Sequence, residues 1–221
     1  MKVVLALSDS EVFKPKTEKD FARLSNSKNQ RKLSYDCCVN DCDIFTMRGG
    51  VVMVEYKLWR DMVTRCFSEK HSRFYEDVKI DSRWYKFSGF LHDIKQMKSY
   101  EKVMDGWVLD KDILSGKNKI YSRETCCIIP QEINVLFSTA KAIRGDFPVG
   151  VSKTRGNKYV SESYKGGVKH RLGFYDTPED AFYAYKKFKE TNVKEVAERY
   201  KQDIDERVYN VLISYEVKIT D

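Results

Sequence analysis

The chain has 221 residues, which gives room for one large domain or two small ones. An apolar fraction of 42% and an aromatic fraction of 13% exclude a wholly disordered chain, and the sequence contains no run of about 18 apolar residues that could span a membrane. The formal net charge of +7 proves little by itself, so its distribution along the chain decides what it implies.

Residues 1–35 predict an N-terminal strand and a flexible basic arm. Residues 1–13 hold one lysine and an apolar run shorter than that of a signal peptide, so we expect a first strand or a tucked terminus. Residues 14–34 are polar and basic without apolar periodicity, and they are either a solvated linker or an arm that contacts a binding partner.

The six cysteines include two adjacent pairs but no Cys-x-x-Cys motif. They are Cys37, Cys38, Cys42, Cys66, Cys126 and Cys127. This pattern favours buried, reduced thiols. The alternative is a zinc site formed by Cys37, Cys38 and Cys42, although their spacing is irregular and no histidine lies nearby.

Two amphipathic helices are predicted at about 56–69 and 82–97, with a short strand around Val78–Ile80 between them. Each helix has apolar residues at helical spacing, which favours a buried face over a ligand pocket. The first stripe is Trp59, Met62, Val63, Cys66 and Phe67, and the second is Trp84, Phe87, Phe90, Leu91 and Ile94.

Residues 106–129 contain two apolar runs on either side of the turn-forming segment Ser115–Asn118, which predicts a hairpin-like pair of strands. Pro130 is then well placed to open a helix over 131–140. Strand, loop, strand and helix follow one another within about 30 residues, so we expect a ββα unit. Residues 140–148 are the predicted linker to the next domain.

The C-terminal part predicts three strands and two helices. The strands are expected at Val149–Lys153, Lys158–Tyr164 and Val168–Phe174, with glycine-containing turns between them. Asp176 or Thr177 caps a long helix with Pro178 in its first turn, and a last helix is expected at about 204–214. Ala181, Tyr185, Phe188, Val193 and Val196 can line the inner side of the long helix.

Most of the charge excess lies in this C-terminal sheet. Residues 149–173 hold six cationic side chains against the single acid Glu162. The six are Lys153, Arg155, Lys158, Lys165, Lys169 and Arg171. A cationic sheet of this kind favours binding to a polyanion.

Residues 149–189 resemble the DNA-binding domain of plant Apetala/ethylene-response factors and its phage relatives. The resemblance rests on Val149–Val151, Lys158–Tyr159, the run LGFYDTPEDA at 172–181, and Ala184–Tyr185. It implies a three-stranded antiparallel sheet that lies in the major groove of double-stranded DNA and is backed by a helix. The implied contacts are the six cations, with Ser161 and Ser163 as polar contacts.

Residues 54–137 resemble phage proteins of the HNH homing-endonuclease class, on the segments YKLWRDMVTRC, Trp84 and LDKDIL…NKIYSRETCCIIPQEIN. The resemblance implies a ββα unit that holds one Mg²⁺ or Mn²⁺ ion beside the scissile phosphate. It places Asp110 and Asn134 as metal ligands and, more weakly, Asn118 as a residue that braces the loop. Oxygen ligands of this kind suit such a metal.

The position of the usual general-base histidine is occupied by Lys111, and a solvated lysine is protonated at neutral pH. Lys111 then has a lowered pKa in a buried site, or another group such as Asp112, His71, His92 or His170 acts as the base. The third possibility is that catalysis has been lost. Asp110 and Asp112 can also be simple turn or capping carboxylates.

Together these features predict an α+β chain with an N-terminal segment (1–35), an HNH-like domain (36–140) and a DNA-binding domain (147–221). The favoured hypothesis is a metal-dependent DNA endonuclease of phage origin. The alternative is a non-catalytic, sequence-directed DNA-binding protein with a degenerate nuclease domain, and an RNA-binding or protein-interaction module is a third. We expect double-stranded DNA as the partner, no membrane, no obligatory protein partner, and a location in the cytoplasm of the bacterial host.

Overall fold

The structure is a computed structural model that describes residues 47–48, 51–52, 54–67, 78–116, 119–137 and 147–220. Their contacts divide the chain into two compact units, one ending at Ile128 and the other beginning at Ile129. The predictions for residues 1–35, for Cys37, Cys38 and Cys42, and for His71 and Asn118 fall outside the described residues.

The first unit mixes short strands and helices. Its described elements are β1 (Met47–Arg48), β2 (Val51–Val52), α1 (Val54–Phe67), β3 (Lys79–Ile80), a 3₁₀-helix at Ser82–Tyr85, α2 (Phe87–Ile94), a 3₁₀-helix at Tyr100–Asp105, β4 (Val108–Asp110), α3 (Asp112–Ser115), β5 (Ile120–Tyr121) and β6 (Cys127–Ile129), which ends in the second unit. β1 pairs antiparallel with β2, β3 pairs in parallel with β5, and β4 pairs with β6.

The core of the first unit is built from the two predicted apolar stripes. Trp59, Trp84, Phe87 and Phe90 are fully buried. The indole N–H of Trp59 donates to the carbonyl of Trp84 at 2.8 Å, and the indole N–H of Trp84 donates to the buried carboxylate of Asp93 at 2.9 Å. Both buried indole donors are therefore satisfied, as burial of a polar group requires.

Two expectations for the first unit need correction. The predicted helix over 82–97 is broken at Lys86, whose backbone is extended (φ −99°, ψ 138°), so a 3₁₀-helix and α2 replace it. The two apolar runs of 106–129 do pair, as β4 with β6, but a short helix and β5 lie between the paired strands where a simple turn was expected. A carboxylate oxygen of Asp110 accepts from the amide of Ile113 at 2.9 Å at the start of that helix, α3.

The second unit contains the three-stranded antiparallel sheet that the sequence predicts. Its described elements are α4 (Gln131–Leu136), β7 (Val151–Lys153), β8 (Tyr159–Lys165), β9 (Val168–Tyr175), α5 (Pro178–Tyr200) and α6 (Glu206–Ile213), with the strand order β7-β8-β9. This mixture of helices with an antiparallel sheet agrees with the predicted α+β class.

Helix α5 starts where its sequence predicts and packs against all three strands of the sheet. The hydroxyl of Thr177 accepts from the amide of Asp180 at 3.1 Å, so Thr177 rather than Asp176 is the cap, and Pro178 occupies the first turn. Of the predicted inner side chains, Ala181, Val193 and Val196 are buried, whereas Tyr185 and Phe188 are half-buried. The buried side chains of α5 supply much of this unit's core.

Helix α4 belongs to the second unit, so the observed division lies N-terminal to the predicted linker at 140–148. The carboxylate of Glu132 accepts two hydrogen bonds of 2.8 Å from Arg199 and one of 3.0 Å from the hydroxyl of Tyr200. The ammonium of Lys189 donates to the carbonyl of Leu136 at 2.7 Å. These contacts attach α4 to α5, and a bidentate Arg–carboxylate pair is among the stronger polar contacts in proteins.

No helix in the described stretches of the chain combines the length and the apolar character that crossing a membrane requires.

Candidate nucleic-acid interface

The two faces of the C-terminal sheet are fixed by its pairing register. Residues directly opposite each other on paired strands point to the same side. The pairs Val160–Phe174, Glu162–Arg171 and Tyr164–Lys169 thus lie on one side, and Ser152 joins them through its pairing with Val160. We call these seven residues the outer face: Ser152, Val160, Glu162, Tyr164, Lys169, Arg171 and Phe174. The opposite side packs against α5.

Three predicted contacts lie on the side of the sheet that faces the helix. Ser161 and Ser163 are buried, with 0% and 5% of their surface exposed, which removes both from the predicted set of DNA contacts. The ammonium of Lys165 pairs with Glu195 of α5 at 2.5 Å. Side chains alternate along a strand, and Lys165 is an even number of positions from Ser161 and Ser163, so it lies on the same side of the sheet as they do. The six cations therefore do not share one face.

The outer face retains two of the predicted cations, Lys169 and Arg171, and Lys158 lies at its edge, an even number of positions before Val160. Lys153 follows Ser152 and pairs with Tyr159, so by the same alternation it points to the helix side at the end of β7. Lys153, Arg155 and Lys158 are exposed in and around the turn between β7 and β8. Lys158 pairs with Asp176 at 2.5 Å. Among the described residues, Lys153 and Arg155 have no acidic partner within ion-pair distance. The turn is therefore more strongly cationic than the outer face itself.

Glu162 lies between the two cations of the outer face. Its carboxylate pairs with Lys169 at 2.7 Å and with Arg171 at 3.4 Å. The hydrogen bond from Lys169 holds the pKa of Glu162 below its usual range, and the same bond raises the pKa of Lys169. Both shifts favour the charged forms of Glu162 and Lys169, and Glu162 offsets one positive charge on this face.

Two exposed aromatic side chains on the outer face were missed by the sequence analysis. Tyr164 and Phe174 are 60% and 58% exposed. The sequence held part of the information needed to find Tyr164. It lies next to Ser163 and an even number of positions from Val160, so alternation along the strand places it on the side opposite Ser163. The register shift that brings Phe174 to the same side could not be read from the sequence pattern. Its one sequence indication is Gly173 within an otherwise strand-like run.

The predicted nuclease residues Asp110 and Lys111 lie at the end of β4. Burial raises the pKa of the Asp110 carboxyl, which also accepts from the amide of Ile113. Lys111 is 5% exposed, its ammonium pairs with Asp112, and it lies 5.6 Å from the ring centroid of Tyr121. Asp110 thus accepts a backbone hydrogen bond at the start of α3, as a turn carboxylate does, and Asp112 forms an ion pair with Lys111.

These residues are a weak fit for a divalent metal. Mg²⁺ needs at least one carboxylate besides the substrate phosphate, and Asp110 can supply it. The positive charge of Lys111, however, interacts with the carboxylate of Asp110. A positive charge at this place would repel a divalent metal ion. Asn134 lies on α4 in the second unit. In the described parts of the chain, no three His, Cys, Asp or Glu side chains converge into a metal-binding group.

The described cysteines match the expected unreactive thiols. Among the described residues, Cys66, Cys126 and Cys127 form no disulfide, and Cys126 and Cys127 are buried. Burial raises the pKa of the Cys66 and Cys126 thiols to about 12. Because the thiolate is the reactive form, these groups are poor nucleophiles at neutral pH.

The two described histidines occupy unrelated places. His92 is exposed on α2 and shares a hydrogen bond of 2.8 Å with Gln96. His170 lies on β9 with its ring packed against Phe188, at a centroid distance of 5.5 Å. His170 has a packing role in the second unit, while Asp110 lies in the first.

Comparisons with protein-family models, with curated proteins and with solved structures found no match to this chain.

The burial of Ser161 gives a test of the assigned faces. Within the described part of the chain, its hydroxyl has no hydrogen-bond partner, and an unpaired buried hydroxyl costs roughly 1–3 kcal/mol. We expect Ser161→Ala to raise the free energy of unfolding by about 1 kcal/mol in urea denaturation. The exposed Ser152→Ala is the control and should change it little. A loss of stability in Ser161→Ala would show that the hydroxyl is paired.

Proposed function

We propose that the chain binds double-stranded DNA through the outer face and the cationic turn beside it. The observation that carries the proposal is the exposure of four side chains on this face within the described part of the chain. Helix α5 covers one side of the sheet, while Lys169, Arg171, Tyr164 and Phe174 project from the other with much of their surface exposed.

The dimensions of the sheet suit the major groove. Neighbouring strands lie about 5 Å apart, and a major groove about 12 Å wide admits a two-stranded ribbon. β8 and β9 have seven and eight residues, so each is roughly 25 Å long. That length lets the ribbon follow the groove with phosphates on either side.

The charge distribution supports the same orientation. Arg155 and Lys158 are exposed near the turn that joins β7 to β8, where they can contact phosphates along the groove. The ion pairs of Lys158 and Lys169 are exposed, and exposed ion pairs contribute little net stability. Either lysine can therefore exchange its carboxylate partner for a DNA phosphate at little cost in free energy.

Two lysines of the same hairpin provide a matched pair of variants. Lys169→Ala removes a cation from the outer face, whereas Lys165→Ala removes an equal charge that is held by α5. We expect Lys169→Ala to weaken duplex binding and to reduce the slope of log K against log salt by about 0.9, since each released counterion contributes that amount. Lys165→Ala should bind as the wild type does.

Fluorescence anisotropy with a labelled duplex, from 50 to 200 mM salt, measures both quantities. Equal losses in the two variants would mean that only overall charge matters. The absence of duplex binding at the lowest salt concentration would refute the proposal itself.

Metal-dependent cleavage of the bound DNA is a second proposal. It is supported by one observation, the order of β4 and its partner β6 followed directly by α4, which is the strand–strand–helix order of the resemblance. Because Lys111 stands beside Asp110 and the metal fit is weak, DNA binding is the better supported function.

Nicking of a supercoiled plasmid with Mg²⁺ or Mn²⁺ separates binding from cleavage. If the chain is a nuclease, Asp110→Ala and Asn134→Ala should lose nicking while they retain DNA binding. The exposed Asp105→Ala is the control for a lost carboxylate. A wild-type chain that binds DNA and nicks in neither metal is the non-catalytic DNA-binding protein.

A further inference from the structure

The outer face carries a guanidinium and an aromatic ring in contact. The Cζ atom of Arg171 lies 5.5 Å from the ring centroid of Phe174, within the range of a cation–π interaction. The other side of the same guanidinium is held by Glu162, at 3.4 Å from Nε. Charge alone does not require this arrangement, because a phosphate contact needs only a positive group within reach.

A β-bulge places the two residues on one side. Residues three apart on a regular strand point to opposite faces, so Arg171 and Phe174 would normally be separated by the sheet. The register slips between Ser161, which faces Gly173, and Glu162, which faces Arg171. Leu172 is therefore the extra residue, and it brings Arg171 and Phe174 to the same side.

Gly173 makes the bulge possible. Its φ is +150°, a backbone conformation that other residues rarely adopt, and an added Cβ would lie 3.0 Å from the hydroxyl oxygen of Tyr175. That hydroxyl in turn donates to the carbonyl of Leu172 at 3.3 Å. The conformation that brings the pair together is thus specified by the chain around Arg171.

We infer that Arg171 and Phe174 form a base-reading pair for a guanine next to a thymine. The inference rests on the proposed duplex binding and names what the outer face recognises. Arg171 donates from its planar fork to O6 and N7 of guanine, and Phe174 contacts the 5-methyl group of thymine in the neighbouring base pair. Adjacent base pairs are about 3.4 Å apart, so one side chain can lie on each.

The neighbouring cations are less suited to this role. Lys169 lacks the fork that gives arginine its bidentate geometry, and it serves as a phosphate contact. Arg155 lies exposed in a turn, so it loses more side-chain freedom when it is ordered on a base. Arg171 is held on both sides before DNA arrives, and such pre-organisation lowers the cost of binding.

The experiment uses the full chain and selects its preferred site from a random duplex library. Each guanine of that site is then replaced by 7-deazaguanine, which lacks the N7 acceptor, and each thymine by deoxyuridine, which lacks the methyl group. We expect one guanine position to lose about 5- to 150-fold in affinity, and an adjacent thymine position to lose about four-fold.

Variants assign the two effects to their residues. Arg171→Ala should abolish the loss at the guanine while weaker, salt-dependent binding remains, and Arg155→Ala should preserve that loss. Phe174→Ala should abolish the deoxyuridine effect, and Phe174→Leu, which keeps an apolar contact, should retain at least part of it.

The outcomes distinguish this inference from the function on which it rests. Duplex binding with no guanine preference, or an Arg171→Ala variant that stays sensitive to 7-deazaguanine, overturns the base-reading pair and leaves DNA binding in place. Failure to bind any duplex overturns the proposed function.

Discussion

One extra residue in β9 determines which side chains the C-terminal sheet presents. Without the bulge at Leu172, the residues that follow it on β9 would turn to the other side, and Phe174 would point into the layer occupied by α5. Gly173 permits the bulge, and the hydroxyl of Tyr175 bonds across it. The contact between Arg171 and Phe174 depends on this local backbone geometry.

The elements with strong local signals were predictable. Thr177 and Pro178 fix the start of α5, and the glycine-containing turns separate three strands that the structure confirms. The positions of individual side chains were harder to predict. Ser161 and Ser163 face inward although serine carries no apolar signal, and Lys165 reaches an acid on α5 from 30 residues away in the sequence. Clustering of charge in the sequence therefore overstated the clustering of charge on one face.

The first unit shows why the central site was difficult to predict. The run around Asp110 is apolar on both sides of a turn, which suits a simple hairpin as well as a short helix. The structure has the short helix α3, and the amide of Ile113 in its first turn donates to Asp110. Helix α4 was expected in the nuclease domain, yet Glu132 and Leu136 bond to residues more than 50 positions later in the chain. Contacts over such sequence distances leave no trace in periodicity.

The central claim is that DNA covers the outer face and leaves the opposite side of the sheet against α5. Acetylation of lysine side chains in the full chain, followed by mass spectrometry with and without duplex DNA, tests it most directly. The account predicts that DNA slows the reaction of Lys169 and Lys158, while Lys165 and the exposed Lys187 on α5 react as before. Equal protection of Lys165 and Lys169, or no protection of Lys169 at DNA concentrations that saturate binding, would contradict it.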